Sequence, residues 1–135
     1  MYTGSCLCGG VQLTITGKIS DIIHCHCSLC RKSTGSAFAT NGFVNTADFT
    51  VTQGQELLHH FALKSGRQRH FCRVCASPIY SSNTADPTRI RIRLGILDSE
   101  IVEKPISHNF VTSKANWDSL DVNLPQYEAH EPGRK

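Results

Sequence analysis

Seven cysteines fall into three tight groups along 135 residues: Cys6-Leu-Cys8, Cys25-His-Cys27-Ser-Leu-Cys30 and Cys72-Arg-Val-Cys75. Spacings of C-x-C and C-x-x-C let one turn aim two thiolates at a single point, which is what a tetrahedral zinc site requires. Seven divides as four plus three. Counting ligands pairs Cys6 and Cys8 with Cys72 and Cys75, a closed four-thiolate structural site. The triplet supplies three ligands and an open position, the mark of a catalytic zinc. Any such chain must fold so that its N-terminal edge meets its middle.

Neither non-metal explanation accounts for the clustering. Buried cysteines serving as small hydrophobes would be scattered, and an odd count leaves one thiol over in any disulfide framework. The expected cofactor is therefore zinc, two ions per chain. Spacing alone leaves open whether His24 or His26 adds a fourth ligand to the triplet.

At this length the chain reads as one domain spanning residues 1–135, and 39% hydrophobic with 7% aromatic residues makes a modest core. A structural zinc compensates, because on the order of ten kcal/mol of apparent binding energy becomes folding energy when the unfolded chain lacks the site. Met1 to Gly10 shows no basic start or apolar leader, and no run reaches the apolar length of a membrane span. The expectation is a cytoplasmic protein without a membrane partner, in a compartment where thiols stay reduced. A net charge of +3 is small and spread along the chain. With few aromatics, and none interleaved with a basic stripe, the composition argues against nucleic acid.

The hydrophobic pattern is mainly period two, so the fold class is mainly β. Val11, Leu13 and Ile15 alternate with polar residues up to Gly17. Further strands are expected over 37–44 with a turn or bulge at Asn41-Gly42, 49–52 stopped by Gln53-Gly54, 57–63 stopped by Ser65-Gly66, 69–72 and 79–81. The clearest alternation covers 89–97: Ile90, Ile92 and Leu94 face the core, and Arg89, Arg91 and Arg93 face outward, an ordinary charged surface by default with an anion site as the alternative. The triplet is expected in a loop, with a turn over 28–33 and small residues Ser33, Thr34 and Gly35 beside it. A short helix is expected over 98–104, capped by Asp98 and stopped at Pro105. The tail from about residue 125 reads as irregular.

Four segments together resemble the glutathione-dependent formaldehyde-activating enzyme family: Gly4-Ser-Cys-Leu-Cys-Gly-Gly-Val11, Cys25-His-Cys-Ser-Leu-Cys-Arg-Lys-Ser-Thr-Gly35, Phe71-Cys-Arg-Val-Cys-Ala-Ser-Pro78 and His108-Asn-Phe-Val-Thr-Ser-Lys-Ala-Asn-Trp117. The resemblance implies a tent-like fold in which two antiparallel sheets meet at a structural zinc. It also implies that Cys6, Cys8, Cys72 and Cys75 hold that zinc while Cys25, Cys27 and Cys30 hold a second, catalytic one. The activity it implies is reversible carbon-sulfur chemistry, that of a lyase or synthase joining glutathione and formaldehyde as S-(hydroxymethyl)glutathione. Glutathione is then the favoured small-molecule thiol.

The chemistry of the triplet agrees with that implication. Three thiolates weaken the pull of a zinc dication on bound water, so a fourth thiol, which zinc deprotonates, is the better ligand. Arg31, Lys32 and Arg73 stand beside the ligands as candidates for charge compensation or for contact with substrate carboxylates. Strand alternation turns His24 and His26 away from Cys25 and Cys27, and His108 and Trp117 are expected to shape the core or a pocket wall. Two other classes remain: a zinc-stabilised binding module without turnover, and a thiol redox switch that releases metal on oxidation.

Overall fold

The computed structural model describes residues 1–63, 66–120 and 123–134. Among these residues, ten strands form two sheets, accompanied by one short α-helix. The smaller sheet has the order β1 (Tyr2–Ser5), β2 (Gln12–Ile15), β5 (Phe49–Gln53). The larger runs β10 (Ser107–Asn109), β3 (Ser20–Cys25), β4 (Ala39–Asn45), β9 (Arg89–Arg93), β8 (Pro78–Asn83), β7 (Arg67–Cys72), β6 (Leu58–Ala62). All pairings are antiparallel except β10 with β3, which is parallel.

The core lies where the two sheets face each other. Leu13 and Ile15 from the small sheet, with Val11 just before it, pack with Ile22, Val44, Ile79, Ile90 and Ile92 from the large one and with Ile19 just before β3, and Cys6 and Cys72 belong to the same cluster. The alternation seen in sequence is therefore real burial: Ile90 and Ile92 face inward as expected. Two cysteines of the four-cysteine group sit inside the apolar contact that joins the sheets.

Several expectations are corrected. No turn or bulge interrupts β4 at Asn41-Gly42, whose register against β9 is continuous. The extra residue is in the partner strand, between Ser20 and Ile23, where Asp21 has φ 48°. Gly42 serves close packing instead, since a Cβ there would lie 2.4 Å from Ile19 Cγ2 and 3.0 Å from Ile22 Cγ1. Residues 98–104 are not helical. Asp98 Oδ2 accepts from Ser5 Oγ at 2.7 Å, and Ser99 Oγ accepts from the Thr3 amide at 2.8 Å. The polar groups expected to cap a helix tie this segment to β1. The strand over 89–97 ends at Arg93, and Leu94–Ile96 form a single 3-10 turn.

The triplet is not in a loop either. Cys25 ends β3, Cys27 is the N-cap of α1 (Ser28–Thr34), and Cys30 is the buried residue of that helix. Seven residues make a helix that is marginal by itself. It is held by its ends: the Cys30 amide donates to Cys27 Sγ at 3.4 Å, and Gly35, at φ 65°, closes the other end through its amide on the Arg31 carbonyl at 2.8 Å. Ser65, read as half of the stop after the fourth candidate strand, lies outside the described residues.

Candidate metal centres and the cavity beside them

The chain folds so that all seven thiols gather into two groups, Cys6 with Cys8, Cys72 and Cys75, and Cys25 with Cys27 and Cys30. Within each group the sulfurs lie within 4.8 Å of one another. Four ligands on one zinc at bonds of about 2.3 Å and tetrahedral angles put their sulfurs about 3.8 Å apart. Observed separations are 3.5 Å for Cys6 to Cys8, 3.9 Å for Cys8 to Cys72 and 3.4 Å for Cys25 to Cys27. No disulfide joins any of the seven. Both donor sets fit a thiophilic cation such as zinc.

The four-thiol group stands at the junction of the sheets. Cys6 and Cys8 occupy the turn from β1 into β2, and Cys72 and Cys75 the turn from β7 into β8. The two turns are also pinned directly, by the Leu7 amide donating to Ser77 Oγ at 2.9 Å, while the Val11 amide donates to Cys6 Sγ at 3.2 Å. Hydrogen bonding from Ser77 brings the Cys75 thiol down to about 5. At Cys8 the Gly10 amide favours the thiolate, but the neighbouring sulfurs of Cys6, Cys75 and Cys72 outweigh it and the thiol is pushed up to about 11. This spread is what acids sharing a small site display, and a bound dication removes it by compensating every charge at once.

The triplet differs in depth and company. Cys25 and Cys30 are buried and Cys27 is half-buried, and burial pushes the Cys25 thiol up to about 12, with Cys30 and Cys27 adding to it. No histidine joins this group among the described residues. His24 and His26 point to the other side of β3, as strand alternation requires. There they pack with Phe38 and His108 at ring separations of 4.6–5.1 Å. His26 is fully buried, and its Nε2 is 2.9 Å from His108 Nδ1.

Cys25, Cys27 and Cys30 form part of the wall of a cavity of about 530 Å³. The larger sheet and its flanks supply most of the rest, in strand order, with Leu29 added from α1. Ile106, Ser107, Asn109 and Phe110 come from β10 and its flanks, Ile23 from β3, and Asn41 and Phe43 from β4. Beyond them stand Arg91 and Arg93 from β9, Ser81 from β8, and Arg67 and Arg69 from β7. Among the described residues, four guanidiniums and one carboxylate, Asp21, thus line the cavity.

The arginine face read as an ordinary solvated surface is corrected here. Arg89 is exposed, Arg91 is half-buried and Arg93 is buried at 6% exposure. The side of β9 opposite the core forms a cavity wall, with α1 and the β10 edge rising beside it. Arg93 donates from Nη1 to Asn41 Oδ1. Arg89 and Arg91 lie over the Phe43 ring at 3.8 and 4.9 Å, favourable contacts for a cation near the ring centroid. Arg69 reaches the triplet itself: Nη2 is 3.9 Å from Cys30 Sγ and Nη1 donates to Ser33 Oγ at 3.1 Å. Burial lowers the Arg93 guanidinium, and Arg69 lowers it further, while the Cys30 and Cys25 sulfurs act in the opposite sense.

Arg31, Lys32 and Arg73, proposed from sequence for charge compensation, do not line the cavity. Arg67, Arg69, Arg91 and Arg93 do. Their signal was present as two period-two runs, Arg67-Gln-Arg69 and Arg89-Ile-Arg91-Ile-Arg93, but sequence does not show that β7 and β9 flank the same strand. Trp117, expected in the core or pocket wall, is 70% exposed.

Comparison with known proteins agrees with the geometry. The family model for the glutathione-dependent formaldehyde-activating enzyme matches residues 1–113. A Halomonas elongata protein named "Putative glutathione-dependent formaldehyde-activating enzyme" is 27% identical over 128 residues, 90% of this chain and 82% of its own. The crystal structure of a Rhodobacter sphaeroides protein superimposes with a TM-score of 0.64 at 22% identity, covering 78% of this chain and 98% of that one. That last likeness is one of fold.

Proposed function

Because the chain belongs to the glutathione-dependent formaldehyde-activating enzyme family, we propose that it is a carbon-sulfur lyase or synthase that makes and breaks S-(hydroxymethyl)glutathione at the Cys25, Cys27 and Cys30 site. In this reading Cys6, Cys8, Cys72 and Cys75 hold a structural zinc and the triplet holds a catalytic one. The observation that carries it is the position of the triplet, on the wall of a cavity that also presents four arginines. A site serving only to hold the fold together has no use for either feature.

Zinc bound by the three thiolates would supply a soft cation that favours the thiolate form of an incoming thiol. The remaining work falls to the chain. Glutathione carries two carboxylates, and Arg67, Arg69, Arg91 and Arg93 are the groups placed to receive them. Arg fits this task because its planar fork meets a carboxylate with two parallel hydrogen bonds. Arg69, reaching both the triplet and the cavity, couples the two: its charge offsets the excess negative charge of three thiolates and fixes the end of the substrate nearest the sulfur. Partial enclosure keeps the reacting carbon and sulfur together, so that recombination is effectively intramolecular. In the cleavage direction the C–S bond breaks with its electron pair returning to sulfur. The hydroxyl proton leaves to solvent at the open side as the carbonyl forms. Synthesis is the reverse. Reduced thiols are a condition of this chemistry, and a reducing compartment such as the cytoplasm would meet it.

Titration calorimetry of zinc-loaded protein with glutathione and with S-methylglutathione tests the reading. The two have the same charged groups, but only glutathione has an ionisable thiol. Glutathione is expected to bind more tightly, with a proton released and with affinity rising toward the thiol pKa. Exchange spectroscopy should then show S-(hydroxymethyl)glutathione forming and breaking faster than in buffer. Equal binding of both compounds, or of neither, overturns the sulfur-centred mechanism. Thiol binding without accelerated exchange reduces the protein to a binding module.

A further inference from the structure

Large apolar side chains that remain mostly exposed gather at one end of the cavity: Leu29 at 53%, Ile106 at 67% and Phe110 at 63% exposure. Leu29 comes from the first turn of α1, and Ile106 and Phe110 flank β10. This end is the β10 edge of the sheet, where Ser107 and Asn109 also line the wall. The arginines stand on β9 and β7, toward the opposite edge, and Cys25 on β3 lies between the two ends. Across one concave surface the order is therefore apolar, thiol, cationic.

Phe110 supplies a second observation. Its backbone has φ 58° and ψ 42°, the left-handed region that bulky residues rarely occupy. The conformation is held from both sides, by the Ser113 amide donating to the Phe110 carbonyl at 3.0 Å and by the His26 amide donating to the Asn109 carbonyl at 2.9 Å. No burial of the ring rewards it. A strained residue that presents an exposed aromatic ring to a cavity wall is the arrangement expected of a ligand contact.

Volume points the same way. A cavity of about 530 Å³ is within the range that takes ligands of drug size, and the single carbon of formaldehyde leaves the apolar end unused. We propose that this end receives an apolar substituent on the sulfur-bound carbon, so that the substrates include thiohemiacetals of larger aldehydes, R–CH(OH)–S–R′, with R alkyl or aryl and carboxylates on R′. The proposal rests on the reading of the triplet as a thiol-adduct site and extends its substrate class. The reaction balances as before: the C–S bond breaks, its electron pair goes to sulfur, the hydroxyl proton leaves, and R–CHO departs from the apolar end.

The test compares S-methylglutathione with S-hexylglutathione on the zinc-loaded protein by titration calorimetry, with glutathione titrated alongside. Neither thioether ionises at sulfur and their charges are the same, so the ratio of their affinities isolates the apolar end. S-hexylglutathione is expected to bind at least about tenfold more tightly, given the free energy of burying additional methylenes. Phe110→Gly, which relieves the backbone while removing the ring, and Leu29→Ser, at an exposed helix position, should each bring the ratio toward one with melting curves retained. A ratio near one in the unmodified protein overturns the proposal, and so does a tenfold ratio that survives both substitutions. If glutathione itself still binds in either case, the thiol-adduct reading stands. If no compound binds, both fall.

Discussion

Arg69 Nη2 lies 3.9 Å from Cys30 Sγ, so a side chain from β7 closes on a helix that follows β3, on the far side of the same sheet. This contact links the triplet to the arginine wall and gives the site its polarity. The Arg69 fork is anchored at Ser33 Oγ, which restricts the guanidinium before any ligand arrives and reduces the ordering cost of binding.

Replacing Arg69 tests that link. Arg69→Ala should weaken glutathione binding by about tenfold or more, the usual cost of losing a hydrogen bond to a charged group. Arg69→Lys should recover part of the loss, since charge is retained but the paired geometry is not. Calorimetry reads the affinities, and a melting curve confirms that the half-buried residue is not needed for folding. An Arg69→Ala variant with undiminished affinity removes this residue from substrate recognition.

The four-thiol group should be indispensable for folding. Cys72 is fully buried within the core that joins the sheets, and its partners Cys6 and Cys8 lie more than sixty residues earlier in the chain. Losing that staple removes metal-binding energy on the order of ten kcal/mol from a fold whose net stability is typically about 5–15 kcal/mol. Cys72→Ser is expected to be insoluble or unfolded. A soluble Cys72→Ser protein with two zincs and an unchanged melting curve contradicts the assignment.

The sequence disclosed both thiol groups and most of the strands, because ligand spacing and two-residue periodicity are local properties. Its omissions have physical causes, some local and some remote. β1 is Tyr-Thr-Gly-Ser and β10 is Ser-His-Asn, too polar and short to alternate visibly. β3 carries an extra residue between Ser20 and Ile23 that breaks the period at Asp21. Asp98 had the residue type of a helix cap, but its hydrogen bond goes to Ser5, 93 positions away. The arginine wall was only partly legible for a related reason. Alternation separates one face of β9 from the other, yet whether the outer face meets solvent or a cavity depends on α1 and β10, which are remote in the chain.

Gly42 yields a prediction about packing independent of any metal. A methyl group there would meet Ile19 Cγ2 at 2.4 Å in the centre of the large sheet, and both neighbours are fully packed. Gly42→Ala should cost about 1–3 kcal/mol through overpacking, a fall in Tm on the order of 5–10 °C for a chain of this size. Gly95→Ala is the control, because nothing lies within 4 Å of a Cβ there. Equal melting temperatures for the two variants would show that Ile19 and Ile22 yield freely.

The triplet should behave in the opposite way to the four-thiol group. Its sulfurs belong to a small separate cluster with Ala39 and Ile23, away from the main core. Its three candidate ligands are all drawn from six consecutive residues, so its metal closes only a short loop and contributes little long-range constraint. Cys27 is the half-buried member and the cap of α1. Serine keeps a capping oxygen at that position, so Cys27→Ser should stay folded. Two thiolates are too few to retain zinc at ordinary free metal levels, and the variant is expected to purify with one zinc rather than two and to lose the preference for glutathione over S-methylglutathione. Metal analysis and calorimetry on the same preparation decide the matter. Two zincs held at unchanged affinity would show that the second metal lies elsewhere, and an unfolded protein would show that the triplet is structural.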